Sequence, residues 1–387
     1  MNKTHNRYLH PLVKEFLSNR MVFVGGPRQV GKTTLCLQFL ENPTIESLAY
    51  LNWDDVHSRA KIKKAELPLD QKVLCFDEIH KFKNWRSLLK GFYDTKKNRY
   101  KFLITGSARL DHYRRGGDSL LGRYRYLRLH PLTLGELLST NILNNTLHDK
   151  NTTETLLKMG GFPEPFFNGS ERNLKLWQNE RSYRIVNDDV RDLERVKEIN
   201  SIELLVDALP SRVGSPLSIK NLSGDLDAHH ATVKNWVQIL DNIYYSYRIS
   251  PYGAPKIRAV KKEQKLYLWD WSTIEDKGLR FENMVAGHLL KYCHFLEDSE
   301  GEKMELRFLR DTDKREIDFV VIKNKKPLFA VECKTGERNL SSHIDYFKTR
   351  TPIPKFYQVH LGTRHVEIDN KCTILPFWRF CKDLALP

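Results

Sequence analysis

The stretch Met21–Leu40, MVFVGGPRQVGKTTLCLQFL, holds glycines, a lysine and threonines at a spacing that suits phosphate chemistry. Gly26 and Gly31 let a backbone curl so that its N–H groups face an anion. The loop Gly26, Pro27, Arg28, Gln29, Val30, Gly31, Lys32, Thr33 and Thr34 would form that cradle at a helix N-terminus. Lys32 would reach the β- and γ-phosphates of a nucleoside triphosphate, and the Thr33 hydroxyl would ligate Mg²⁺. Further along, the fully apolar run Val73–Phe76 stops at Asp77 and Glu78. An acidic pair at the carboxyl edge of a parallel strand is well placed to act on such a ligand. Asp77 would hold Mg²⁺ through water, and Glu78 would orient or deprotonate the attacking water. ATP and Mg²⁺ are the expected cofactors.

A second stretch with chemistry in it is REIDFVVIKNKKPLFAVECKTGE, Arg315–Glu337. Folded about a turn at Asn324–Lys326, it makes a hairpin in which Asp318 faces Glu332. Glu332 and Lys334, two residues apart, project from one face. Carboxylates directly opposite each other repel and weaken a sheet. A divalent cation between them would remove the conflict.

These groups need elements to carry them. Met21–Val24 reads as a strand and the residues after Lys32 as a helix, with Leu35, Leu37, Phe39 and Leu40. Val73–Phe76 and Phe102–Ile104 read as buried strands of a parallel sheet. The glycines and prolines of GGFPEPFF, Gly160–Phe167, mark a joint, and residues 171–199 read as exposed helix. In SIKNLSGDLDAHHATVKNWVQILDNIYYSYRI, Val233, Trp236, Val237, Leu240 and Ile243 keep helical spacing. They predict a helix–turn–helix, with a wing from YYSYRISPY and QKLYLWD. His229 and His230 lack cysteine partners at ligand spacing and read as a helix start.

At 387 residues the chain is too long for one ordinary domain. Six scattered cysteines make no CxxC pair, which argues against a zinc site or a disulfide framework. No apolar run approaches the ~20 residues of a membrane span, and the start shows no signal core, so a cytoplasmic protein with no membrane partner is expected. The net charge is +15, and Lys81–Arg128 carries 14 Lys or Arg against 3 Asp, with tyrosines interleaved in its later part. That balance favours a polyanionic partner without identifying it, and the basic stretch reads either as a solvated surface with phosphate-sensing arginines or as a nucleic-acid track.

Together GGPRQVGKTTL, FDEIHKFKNWRSLLKGFYD, ITGSARL, SLLGRYRYLRLHPLTLGEL and GGFPEP resemble a large family of bacterial and archaeal AAA-like ATPases. Its members join a P-loop core to a winged-helix segment and a C-terminal domain similar to PD-(D/E)xK nucleases. The resemblance implies an α/β protein: a parallel-sheet P-loop AAA-type ATPase core over residues 1–160, a helical lid over 161–200, a winged helix over 201–270, and a restriction-endonuclease-like α/β domain over 271–387. It implies a polar residue after the third strand that senses the γ-phosphate, with Ser107 favoured over Thr105. It implies an arginine finger given to a neighbouring subunit, drawn from Arg114, Arg115 and Arg123 with Arg123 favoured, and hence a homo-oligomer. In the nuclease-like domain it implies a metal held by Glu282, Asp318 and Glu332, with Lys334 steadying water or developing charge. The leading expectation is ATP-dependent action on DNA, with Mg²⁺-dependent cleavage in the C-terminal domain. The alternatives are a DNA-binding ATP switch with a silent nuclease fold, and a signalling or scaffold ATPase that binds protein.

Overall fold

A computed structural model describes residues 6–106, 120–139, 149–190, 199–253 and 264–387. The chain forms two compact units, Met1–Pro131 and Leu132–Pro387.

The first unit is a five-stranded, wholly parallel sheet. Its strands are β1 (Met21–Gly25), β2 (Tyr50–Asn52), β3 (Val73–Asp77), β4 (Lys101–Thr105) and β5 (Tyr124–Arg128), ordered β2-β3-β4-β1-β5. The runs that read as buried strands are buried: β1 throughout, and β3 and β4 apart from their first residues. Parallel strands are covered on both faces, which is why these runs do not alternate with polar residues. Phe76, Phe92 and Phe102 stack against one another, joining β3 and β4 to the helix Trp85–Lys96. The register pairs Asp77 with Thr105, so both strands end level at the carboxyl edge. The loop after β1 opens at that same edge.

The second unit opens with helices and closes on an eight-stranded mixed sheet. The helix Glu171–Arg184 is less exposed than its charge suggests, because Arg181 is buried with its guanidinium 4.1 Å from the Phe162 ring centroid. The segment expected as a helix–turn–helix forms two helices, Ile219–Asp225 and His230–Asn242. Val233, Trp236, Val237 and Leu240 are buried, while Lys234 and Gln238 face outward. The stretches expected as a wing form two antiparallel strands, β6 (Ser246–Pro251) and β7 (Lys265–Leu268). After it come the long helix Lys277–Glu300 and then β8 (Met304–Arg310), β9 (Glu316–Lys323), β10 (Lys326–Lys334), β11 (Phe356–His360), β12 (Val366–Asp369) and β13 (Cys372–Pro376). The order is β12-β13-β11-β10-β9-β8-β6-β7. Because β6 pairs with β8, β6 and β7 share one sheet with the strands that follow residue 270.

Two local details position the C-terminal groups. The hairpin turn is tighter than expected: Asn324 and Lys325 take φ of 51° and 69°, and Lys326 already pairs with Lys323. A two-residue turn with both central φ positive matches the twist of the flanking strands. The Asn283 side chain, on the long helix, accepts from the Leu268 N–H at 2.8 Å and donates to its carbonyl at 2.7 Å. It thus fixes β7 against the second turn of that helix.

Candidate functional sites

In the first unit the loop after β1 takes backbone angles that few residues tolerate. Gly26 has φ 142° and Gly31 φ 95°. A Cβ on Gly26 would lie 2.2 Å from the Leu129 carbonyl oxygen, so the loop fits only without one. Arg7 braces the loop from outside, donating to the carbonyls of Val30 and His130 at 2.6 Å each. The buried Lys32 ammonium turns back on the loop and donates to the carbonyls of Gly26 at 3.0 Å and Pro27 at 2.7 Å.

Asp77 is the hub. Its Oδ2 accepts from the Thr33 hydroxyl at 3.0 Å and from Tyr50 at 2.6 Å. Its Oδ1 accepts a short bond from Thr105. Three adjacent strands and the loop therefore converge on one carboxylate that is 6% exposed. Thr105, the second choice in the sequence for the polar residue after the third strand, is the one that touches Asp77. Ser107, Arg114 and Arg115 lie outside the described residues. Tyr50 carries no sequence motif and was not foreseen.

Glu78 follows in a left-handed conformation, φ 55°, that a non-glycine residue adopts at some cost. Its N–H donates to the Thr105 carbonyl at 3.2 Å. Burial, and then the neighbouring Asp77 charge, raise its pKa above the usual carboxylate value, against the pull of Lys32, Lys81 and Arg28. His80 Nε2 lies 3.5 Å from its Oε2. A carboxylate with raised basicity beside the loop is suited to accepting a proton from water.

Arg123 sits elsewhere. It directly precedes β5, whose first residue pairs with Met21, so it lies at the amino edge of the sheet, opposite the loop. There it forms a bidentate pair with Asp94, at 2.8 and 3.0 Å.

In the second unit the structure gathers Glu282, Asp318, Glu332 and Lys334 in one place. The β9–β10 register runs through Val331 and Phe319, and its continuation sets Glu332 opposite Asp318, as the hairpin predicts. The cluster also contains groups that the sequence reading missed. Lys265, 1% exposed, puts its ammonium 3.3 Å from Glu282 Oε1, 2.5 Å from Glu316 Oε1 and 3.9 Å from Asp318 Oδ1. Tyr267 donates to Glu282 Oε1 at 2.8 Å. The other partners are also protein groups: Asp318 Oδ2 accepts from the Cys333 N–H at 2.8 Å, and Glu332 Oε1 from Lys334 at 2.7 Å.

Burial, then the Asp318 charge, push Glu282 up to about 7 and Glu332 up to about 8; Lys265 and Lys334 respectively oppose the shift. Burial works against the Lys265 ammonium, but Glu282, Asp318 and Glu316 outweigh it and hold its pKa above the ordinary lysine value. These residues do not fit a divalent metal as arranged. The Lys265 ammonium already lies among Glu282, Glu316 and Asp318, Lys334 holds Glu332, and no cluster of three or more His, Cys, Asp or Glu that could hold a metal occurs among the described residues.

Residues 18–138 match the family described as an AAA domain. Residues 125–275 and 277–380 match two domains of unknown function, DUF8612 and DUF4143. With the parallel sheet and the loop geometry, the first match makes the N-terminal unit a P-loop core of the AAA ATPase type. The chain is 23% identical to uncharacterized protein MJ1544 of Methanocaldococcus jannaschii, over 95% of this chain and 89% of that one. It is 22% identical to uncharacterized protein MJ1637 of the same organism, over 87% and 82%. Among solved structures it is similar to the RuvB Holliday junction branch migration motor of Thermotoga maritima, with TM-score 0.31, 17% identity, and 63% of this chain and 88% of that one covered. It is also similar to the ORC1 protein of Aeropyrum pernix in complex with DNA, with TM-score 0.36, 14% identity, and 72% and 94% covered. No helix among the described residues is long and apolar enough to cross a membrane.

Proposed function

We propose that the protein binds and hydrolyses ATP and uses the cycle to act on DNA. The observation that carries the ATP half is the Asp77 carboxylate, tied to Thr33 of the loop and Thr105 of the central strand. The loop Gly26–Thr34 would cradle the phosphates, with Lys32 exchanging the carbonyls of Gly26 and Pro27 for phosphate oxygens. Thr33 and Asp77 fit Mg²⁺, being a hydroxyl and a carboxylate already 3.0 Å apart at the loop. When bound, that ion would neutralise charge on the β- and γ-phosphates. Glu78 takes the proton of the attacking water. Thr105 links the Asp77 carboxylate to the tip of β4, where a change at the γ-phosphate is felt by the sheet. As a finger for a neighbouring subunit in a homo-oligomer, Arg123 would exchange Asp94 for the neighbour's phosphate.

The DNA half is supported by the +15 charge and by the outward face of the helix His230–Asn242, which carries Lys234 and Gln238. For the C-terminal domain, the position of Lys265 favours a silent nuclease fold over metal-dependent cleavage.

Nucleotide binding and phosphate release would be measured on the purified protein and on Lys32→Ala, with DNA binding followed by anisotropy at rising salt. The expected result is Mg²⁺-dependent hydrolysis that Lys32→Ala lacks, with DNA affinity that falls steeply as salt rises. Hydrolysis with no DNA affinity at any salt would remove the DNA half. Equal nucleotide binding by Lys32→Ala would remove the ATP half.

A further inference from the structure

The charges inside the apolar hairpin need a counter-charge, and the chain supplies one of its own. We propose that Lys265 is the resident cation of the C-terminal carboxylate cluster, standing where a nuclease-like fold would hold a divalent metal. The cluster is accordingly a built-in ion network that does not take Mg²⁺ or Mn²⁺ in the wild-type protein. This rests on the silent-fold reading of the C-terminal domain and explains it.

The argument is geometric. Glu282 comes from the long helix, Glu316 and Asp318 from β9, and Glu332 from β10. Lys265 comes from β7, which pairs with β6. Its side chain is buried, and its ammonium meets three carboxylates from two elements at 2.5 to 3.9 Å. Glu282 and Glu316 lie within hydrogen-bond distance of the ammonium, and Asp318 adds its charge at 3.9 Å. The lysine does not reach the cluster by a loose excursion. The Asn283 amide clamps β7 at Leu268, three residues on, and Tyr267 on the same face of β7 bonds the same Glu282 oxygen.

Other cations complete the set. Lys334 holds Glu332 Oε1 at 2.7 Å, and Arg310 on β8 lies 3.8 Å from Glu316 Oε2. A divalent ion held by Glu282, Asp318 and Glu332 would have to share Glu282 and Asp318 with the Lys265 ammonium, and like charges that share ligands repel strongly in a buried site. One oxygen, Glu332 Oε2, is buried with no hydrogen-bond partner. It is the atom most ready to ligate once the lysine is gone.

The test uses the full-length protein without nucleotide, with Mn²⁺ as the probe, read by electron paramagnetic resonance and calorimetry. Wild type and Lys265→Arg should show no Mn²⁺ site that Asp318→Asn removes, up to about 1 mM, the weak end of protein cation sites. Lys265→Ala should gain one, tighter by about tenfold or more, and Asp318→Asn in the same background should remove it. A wild-type Mn²⁺ site lost in Asp318→Asn would overturn the proposal. So would a folded Lys265→Ala that gains nothing. Should Lys265→Ala not fold, Lys265→Met and the wild-type titration still decide it. ATP binding by the variants, measured separately, reports on the first unit alone, so failure here leaves the nucleotide reading intact.

Discussion

Glu332→Gln should stabilise the protein above pH 8 and leave it nearly unchanged near pH 5. In the folded protein Glu332 holds its proton up to about 8, against 4.5 for an exposed glutamate, because it is buried beside Asp318. Between those values the folded state binds a proton that the unfolded state has lost. Stability therefore falls as pH rises through the window, and the whole penalty is present above it. A span of 3.5 pH units sets a ceiling of ~5 kcal/mol at 1.4 kcal/mol per unit. Glu282 shares the Asp318 repulsion, so relief at one site eases the other, and about 2–3 kcal/mol is the expected effect of one substitution. For a unit of this size that is roughly 5–10 °C in the melting midpoint. Glutamine keeps an acceptor for Lys334 and removes the ionisable charge. Calorimetric melts of both proteins from about pH 5 to 8.5 would measure the difference directly. A Glu332→Gln protein that loses equal stability at both ends would refute the reasoning. It would mean that the ionised carboxylate, paired with Lys334, is what the fold needs.

Other substitutions probe the remaining arguments. Glu78→Gln should bind ATP normally and lose about 10²- to 10⁴-fold in phosphate release, the range of a general base. Gly26→Ala, whose methyl would meet the Leu129 oxygen at 2.2 Å, should lose at least about tenfold in affinity for a fluorescent ATP analogue. Lys291 is fully buried, donating to Glu136 at 2.6 Å and Thr133 at 2.8 Å. Lys291→Met should cost about 3–5 kcal/mol in urea unfolding by stranding Glu136, and adding Glu136→Leu should recover most of it.

The first unit was largely legible because its signals are local. An apolar run that stops at a carboxylate marks both a buried strand and its functional end, as Val73–Asp77 does. The glycine spacing of the loop states a backbone requirement, which the φ values of Gly26 and Gly31 meet. What depended on neighbouring strands was not legible. That Thr105 reaches Asp77 depends on the register that sets the two level. Tyr50 reaches Asp77 only because β2 lies next to β3. The left-handed backbone of Glu78 has no sequence mark at all.

The C-terminal cluster shows where local reading runs out. Opposition of Asp318 and Glu332 follows from the hairpin alone, since a tight turn fixes register. Glu316 was within reach too: it lies two residues before Asp318 and so on the same face of β9. Lys265 was visible only as an anomaly, a lone charge opening the apolar run KLYL. Nothing in the sequence says that a strand some 50 residues before β9 joins the same sheet and points that charge at Glu282, Glu316 and Asp318. A divalent ion was a reasonable answer to two facing carboxylates, because repulsion demands a cation. In the reading proposed above, the chain meets that demand with an ammonium of its own. Three carboxylates and a lysine matched to a metal-binding pattern are therefore weak grounds for metal chemistry until the lysines and arginines of every neighbouring strand have been placed.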